Sequence, residues 1–319
     1  MTPTFTDEPL EQLVTILNAQ LGTLAAGEQV TFYALDPDRG VGLFAGEVTD
    51  IGGVRYRHRP LRVWLELAER LGCHLHTPQP EGVIVRFTMS KLERNWQGKN
   101  ASKDAGKDAI SETYGNASDF ARLQKLEEPT FWFDYKEAIE RVALKPRIAS
   151  KSRCRVLSLG VGRGDELGPF STPFAGDDLS FTGIDHSASA LQRARERFPG
   201  EHYRFIQADL GDLAGLELGR FDLIVSIATF QSPGVQGHTL IREVVQRFLT
   251  ENGSLILALP NCRYRDGEVR YGAKLKNFSQ PELSLVVKDL AFYRKYLQQH
   301  RFRVFVTGKY YLFLTAVRL

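Results

Sequence analysis

The residues best placed to do chemistry lie between Val156 and Asp185. There an apolar run, Val156–Leu159, leads into Gly160, Gly162 and Gly164, and a second apolar run, Phe181–Ile184, ends in Asp185. Closely spaced glycines let a backbone approach a ligand, and an acid at the end of the next strand can accept hydrogen bonds from ribose hydroxyls. The chemistry is that of a nucleoside-bearing cofactor held at the edge of a sheet. The spacing weighs against a dinucleotide. A G-x-G-x-x-G fingerprint needs a third glycine under the pyrophosphate, but counting from Gly160 that slot holds Asp165, and Gly164 comes one residue early. An anion there opposes a diphosphate, so a nicotinamide-dependent oxidoreductase is the least favoured reading.

The elements that must position these residues follow in order. A helical stretch begins at His186, Tyr203–Gln207 is strand-like and runs into Asp209 and Leu210, and Phe221–Ala228 and Gly253–Pro260 are two further apolar strands. The chain closes with Phe302–Val306 and Tyr310–Val317 joined through Gly308. In this order the segments resemble class I S-adenosylmethionine-dependent methyltransferases. The resemblance implies a Rossmann-like α/β fold, a doubly wound sheet with an antiparallel last strand. It also implies S-adenosylmethionine as cofactor and a binding site made by Gly160, Gly162, Gly164, Asp185, His186, Asp209, Leu210, Ser226 and Ile227. In such enzymes an acid like Asp185 takes the ribose diol, one like Asp209 meets the adenine amino group, and backbone near Gly160–Gly164 and Ser226–Ala228 holds the methionine end. Read without the resemblance, Asp185 or Asp209 is equally an ordinary helix cap.

Two departures from the family pattern stand out. Ser158 occupies a position where the family usually has an acid that orders the methionine ammonium, and a hydroxyl brings no charge. The segment after the glycines contains Pro169 and Pro173, which predicts a short or broken helix. Asp165 and Glu166 are then the candidates to supply the missing charge.

The frame is that of an ordinary globular chain of 319 residues with formal net charge +3. No apolar run approaches the length of a membrane span, and the first residues have neither a basic start nor an apolar core. Cys73, Cys154 and Cys262 are scattered and odd in number, which points to a reducing, cytoplasmic setting rather than a disulfide frame. Residues 1–95 read as a separate small α+β accessory domain without a recognised family, with helices over Leu10–Leu21 and Leu61–Leu71. Its strands are expected at Val30–Leu35, Val41–Phe44, Glu47–Ile51 and Val83–Phe87. The second helix is expected to gather Leu61, Trp64, Leu65, Ala68 and Leu71 on one face. Residues 96–118 are polar enough to be a linker or a lid, and 119–319 form the methyltransferase domain. The aromatic group Phe131–Tyr135 is expected to pack a helix on the sheet.

The acceptor is less legible. Residues 261–319 hold twelve Lys and Arg against four Asp and Glu, and Arg263, Arg265, Lys274 and Lys276 are interleaved with aromatics, as phosphate contacts with base stacking would require. The N-terminal unit adds Arg55, Arg57, Arg59 and Arg62. Both clusters fit a structured RNA substrate; a solvated basic surface fits them equally well. A small-molecule acceptor, or a non-catalytic cofactor-binding protein on the same scaffold, are the alternatives. No catalytic residue is assigned, since transfer from a sulfonium depends mainly on proximity and orientation. The segments Thr229–Ser232 and Pro260–Tyr264 are expected to face the acceptor, with Cys262 inert rather than nucleophilic. His74 and His76 alternate with Leu75 on one strand face but lack a second group at zinc spacing, so no metal is expected.

Overall fold

The structure is a computed structural model that describes residues 2–93, 122–142, 153–170, 178–265, 267–272 and 283–319. The linker or lid expected at 96–118 lies outside the described residues, as do Lys274 and Lys276. The chain divides into two compact units, Met1–Lys99 with Tyr264–Arg270, and Asn100–Arg263 with Tyr271–Leu319.

The first unit is built from α1 (Leu10–Gly22), β1 (Gln29–Leu35), β2 (Val48–Ile51), β3 (Val54–Arg57), α2 (Leu61–Leu71), β4 (Cys73–Leu75), β5 (Gln79–Glu81) and β6 (Ile84–Lys91). β1, β4 and β5 all pair antiparallel with β6, and β2 and β3 make a separate hairpin. Alternation along β1 and β6 turns Phe32, Phe87 and Met89 inward, where they meet Leu13 and Leu17 of α1 and Trp64 of α2. Two expectations need correction here. Val41–Phe44 is a turn, not a strand: Gly42 sits at φ +96°, Leu43 N–H closes on Gly40 O at 3.0 Å, and Phe44 is 81% exposed. On α2 the buried side chains are Trp64, Leu67 and Ala68, while Leu61 and Leu65 are exposed, because the helix is anchored by the Trp64 indole rather than by its leucines.

The second unit carries α3 (Pro129–Arg141), β7 (Cys154–Leu159), β8 (Leu179–Asp185), α4 (Ala188–Arg197), β9 (Tyr203–Gln207), β10 (Phe221–Ile227), α5 (Gly237–Glu243), β11 (Leu249–Pro260), α6 (Ser284–Gln299), β14 (Phe302–Thr307) and β15 (Tyr311–Arg318). Between β11 and α6 lies the β12 (Cys262–Arg265) and β13 (Glu268–Tyr271) hairpin, most of which belongs to the first unit. The seven-stranded sheet has the order β14-β15-β11-β10-β7-β8-β9. Its centre is parallel, and β15 runs antiparallel to both β11 and β14. β10 is buried along its whole length, as a central strand covered on both faces must be. β15 shows why both faces are covered. Phe313 packs against Phe131 and Tyr135 of α3, while its neighbour Leu314 joins the cluster that includes Leu240 and Ile241 of α5 and Leu297 of α6. This is the expected doubly wound α/β sheet with an antiparallel last strand. Strand order reverses between β7 and β10, and ligands of such sheets bind at the carboxyl ends of the strands at that switch point.

The first unit's stability rests on its stacked aromatics. Phe87 is fully buried, 5.3 Å from Phe32 and 4.6 Å from Trp64 between ring centroids. Phe87→Ala is expected to cost about 3–5 kcal/mol, read as a lowered urea midpoint of the β1–β6 region by hydrogen exchange.

Candidate functional site

The carboxyl ends of β7 and β8 are joined through Asp185. Gly162 N–H donates to Asp185 Oδ2 at 2.8 Å and Ser187 N–H donates to Oδ1 at 2.9 Å. The carboxylate is nearly buried, yet each oxygen keeps a lone pair beyond these two bonds. The turn before it is tied to the same strand, since Gly160 N–H and Val161 N–H both donate to Ile184 O, at 2.8 and 3.0 Å. The three glycines have different reasons. All have positive φ, but a Cβ on Gly160 would lie 2.1 Å from Thr229 Oγ1 and one on Gly164 would lie 2.8 Å from Phe198 Cε2. Gly162 has nothing within 4 Å of that position. Gly160 and Gly164 therefore serve packing and turn geometry, whereas Gly162 borders open space beside Asp185.

His186 is exposed, with Nδ1 3.4 Å from Asp185 Oδ1. Asp209 caps the short turn that follows β9 and accepts from Gly211 N–H at 2.6 Å. Leu210 packs against the main apolar cluster. Ser226 is internal: its hydroxyl donates to Leu159 O at 3.0 Å and ties β10 to the glycine turn. Ile227 is buried at the end of β10, and Ala228 beyond it adopts φ +65°.

Beneath the turn lies a group that the sequence singled out only in part. The segment Asp165–Phe170 is a 3-10 turn carrying Pro169, in keeping with the broken helix expected there. Asp165 is held by Arg163 Nε at 2.7 Å and by Arg197. Glu166 is instead buried, and Ser158 Oγ donates to its Oε1 at 2.7 Å. Burial, opposed by Lys125 and by the Ser158 hydrogen bond, pushes the Glu166 carboxyl up to about 7. Tyr135 O–H, from α3, donates to Glu166 O at 2.8 Å and fixes the turn. The sequence offered no sign of this contact, because Tyr135 looks like any other member of an aromatic helix face.

Other candidates have different roles. Arg57 donates to Asp7 O and Gly46 O, and Arg59, only 4% exposed, donates to Glu8 O and lies over Trp64. These two hold the first unit together and are not part of a free basic surface. Arg62 pairs with Glu66, and Arg55 lies 3.9 Å from Asp7. His74 pairs with Glu268 and His76 with Ser90; among the described residues no group of His, Cys, Asp and Glu could hold a metal ion. Burial pushes the Cys262 thiol up to about 12, which removes the thiolate that a nucleophile needs.

Comparison with known proteins agrees with this geometry. Residues 156–253 match a family described as a methyltransferase domain. Trans-aconitate 2-methyltransferase of Paracidovorax citrulli is 32% identical over 120 residues, which are 38% of this chain and 44% of that protein. The enzyme of the same name from Rhizobium etli is 33% identical over 107 residues, 34% and 39% of the two chains. The chain thus spans less than half the length of these relatives. Magnesium protoporphyrin IX methyltransferase from Synechocystis, solved with bound S-adenosylmethionine, aligns over 68% of this chain and 99% of its own, with TM-score 0.43 and 20% identity. Residues 156–253 thus resemble a methyltransferase domain, and they lie within the doubly wound sheet described above.

The residues present fit S-adenosylmethionine, the cofactor that the sequence resemblance implies. Asp185, already oriented by two N–H donors, would offer both oxygens to a ribose diol, and nothing lies within 4 Å of the Cβ position of Gly162 beside it. Bound there, the cofactor would supply an activated methyl group, and the chain would orient it and keep the loop after β10 in place. Ala228 holds that loop in a conformation costing about 1–2 kcal/mol for a residue with a Cβ. Ala228→Gly is expected to raise stability by about 0.5–1 kcal/mol, the relief exceeding the added freedom of the unfolded chain, as measured by thermal unfolding. All three cysteines are buried thiols that form no disulfide. Ellman's reagent at mildly alkaline pH is expected to find no reactive thiol in the native protein and three after denaturation.

Proposed function

We propose that the chain transfers the methyl group of S-adenosylmethionine to a carboxylate oxygen of a small organic acid. The observation that carries this reading is the composition of the two segments that follow β10 and β11. Thr229–Ser232 and Pro260–Arg263 contain no His, Asp or Glu, one cation, Arg263, and a thiol that does not ionise at neutral pH. A hydroxyl or ammonium acceptor must lose a proton and calls for a base. A carboxylate is already ionised and needs only a cation to hold it. In the transfer the acceptor oxygen forms a bond to the methyl carbon, the sulfur–carbon bond breaks, and its electron pair stays on sulfur, so no proton moves. The relatives named trans-aconitate 2-methyltransferase support the same acceptor class.

An RNA acceptor remains the competing outcome, favoured by the positive excess of residues 261–319. It is weakened by the internal roles of Arg57 and Arg59. Incubation with methyl-labelled cofactor and either small di- and tricarboxylates or total RNA separates the two. Base-labile label in the organic extract is the expected result, and label retained in RNA overturns the reading. Asp185→Ala is expected to weaken S-adenosylhomocysteine binding about a hundredfold by calorimetry, given the roughly 1.5–3 kcal/mol of a hydrogen bond to a charged group. Arg263→Gln is expected to raise the acceptor KM about tenfold while leaving cofactor affinity unchanged, at the lower end of the same range.

A further inference from the structure

Lys125 is a half-buried cation that the reaction as described leaves without a role. It opens the short turn Lys125–Glu127 just before α3. Contacts on either side of it fix where this turn lies within the second unit. Ahead of it, Arg163 Nη2, from the glycine turn, donates to Leu123 O at 2.6 Å. Within it, Leu126 Cδ1 lies 3.9 Å from the Cβ position of Gly168. Beyond it, Phe131 of α3 packs edge-on against Tyr311 at 5.0 Å between ring centroids, and Tyr311 is hydrogen-bonded to Cys262. The turn therefore bridges the glycine segment after β7 and the segment after β11. The charge of Lys125 acts on Glu166 on one side and on Cys262 on the other. We propose that Lys125 is a specificity-determining residue that grips a second carboxylate of the acceptor, so that the acceptor is a di- or tricarboxylate. This rests on the carboxylate reading above.

The neighbours leave the ammonium available. Arg163 and Arg197 are both engaged by Asp165. Among the described residues no hydrogen bond or ion pair holds the Lys125 side chain. An ammonium that is partly buried without an anion loses hydration that nothing in the free protein replaces. An anionic ligand supplies the partner. Two acids lie nearby. Glu166 accepts from Ser158, and Glu128, at the start of α3, also acts on Cys262. Burial favours the neutral form of both. Each therefore competes with an incoming carboxylate less than an exposed acid would.

Lys125 does not duplicate Arg263. Cys262 and Arg263 are neighbours on β12, and neighbouring side chains of a strand leave it on opposite faces. Lys125 acts on the Cys262 side, so the two cations approach the acceptor from different directions and hold different carboxylates. A monocarboxylate can engage only one of them.

The test pairs each dicarboxylate with the analogue that carries a methyl group in place of one carboxylate: fumarate with crotonate, and glutarate with valerate. Transfer of labelled methyl is measured with the full chain as wild type, Lys125→Met and Lys125→Arg. Methionine keeps the apolar stem and removes the charge. The wild type is expected to favour each dicarboxylate by about tenfold or more in kcat/KM, as one charge-assisted hydrogen bond allows. Lys125→Met is expected to raise KM for the dicarboxylates about tenfold and leave the monocarboxylates unchanged, while Lys125→Arg keeps the preference. A merely structural lysine would lower both members of each pair alike, and that result overturns the inference. So does a wild type that uses crotonate and valerate as well as fumarate and glutarate, a result that needs no variant to fold. In both cases transfer to carboxylates continues, so the acceptor reading survives. Absence of transfer to any of the four overturns the carboxylate reading itself, and this inference with it.

Discussion

The bond from Gly162 N–H to Asp185 organises the second unit of the molecule. It joins the turn after one parallel strand to the end of the next, and two more N–H bonds of the turn, from Gly160 and Val161, run to the carbonyl of Ile184 on the same strand. A single segment of β8 therefore dictates where the glycine turn lies. Ser187 N–H holds the other carboxylate oxygen, so the acid is oriented before any ligand arrives. Such preorganisation lowers the ordering cost of binding. The rest of the site is arranged around this junction: Thr229 fills the space left by the missing Cβ of Gly160, and Ser226 ties β10 to Leu159.

A second layer lies under the turn and is electrostatic. Three acids converge there within a short stretch of chain, and each is treated differently. Asp185 is held by backbone donors, Asp165 by two arginines, and Glu166 by one hydroxyl and apolar surroundings. Burial makes Glu166 retain its proton more readily than a surface carboxyl, against the opposing pull of Lys125. Ser158, where the family usually has an acid, is instead hydrogen-bonded to an acid eight positions later.

The arginines of the first unit show how composition misleads. Arg55, Arg57, Arg59 and Arg62 form a dense run in the sequence, and density of charge reads as a surface. In the fold they lie on β3 and just before or within α2, and they meet different partners: Arg55 and Arg57 reach Asp7, Arg59 reaches Glu8 O and Arg62 pairs with Glu66. Arg57 and Arg59 donate to the backbone carbonyls of Asp7, Gly46 and Glu8 and so hold the segment before α1 to the rest of the unit. The turn at Val41–Phe44 misled in the same way, its apolar residues counting for less than Gly42 beside them.

The order of strands, the glycine turn and the acid at the end of β8 were legible from the sequence, since they depend on short-range periodicity and on backbone freedom that only glycine has. The antiparallel closing hairpin through Gly308 was legible for the same reason: the turn there has φ +99°. The sequence also exposed the missing acid at Ser158 and two candidates for its replacement. Choosing between Asp165 and Glu166 required the tertiary structure. Arg197, which holds Asp165, comes from α4, and Tyr135 and Lys125, which surround Glu166, come from α3 and the turn before it. Adjacent residues look equivalent in a sequence. Their burial and charge partners differ because segments distant along the chain meet them on opposite sides, and that is set only when the helices pack on the sheet.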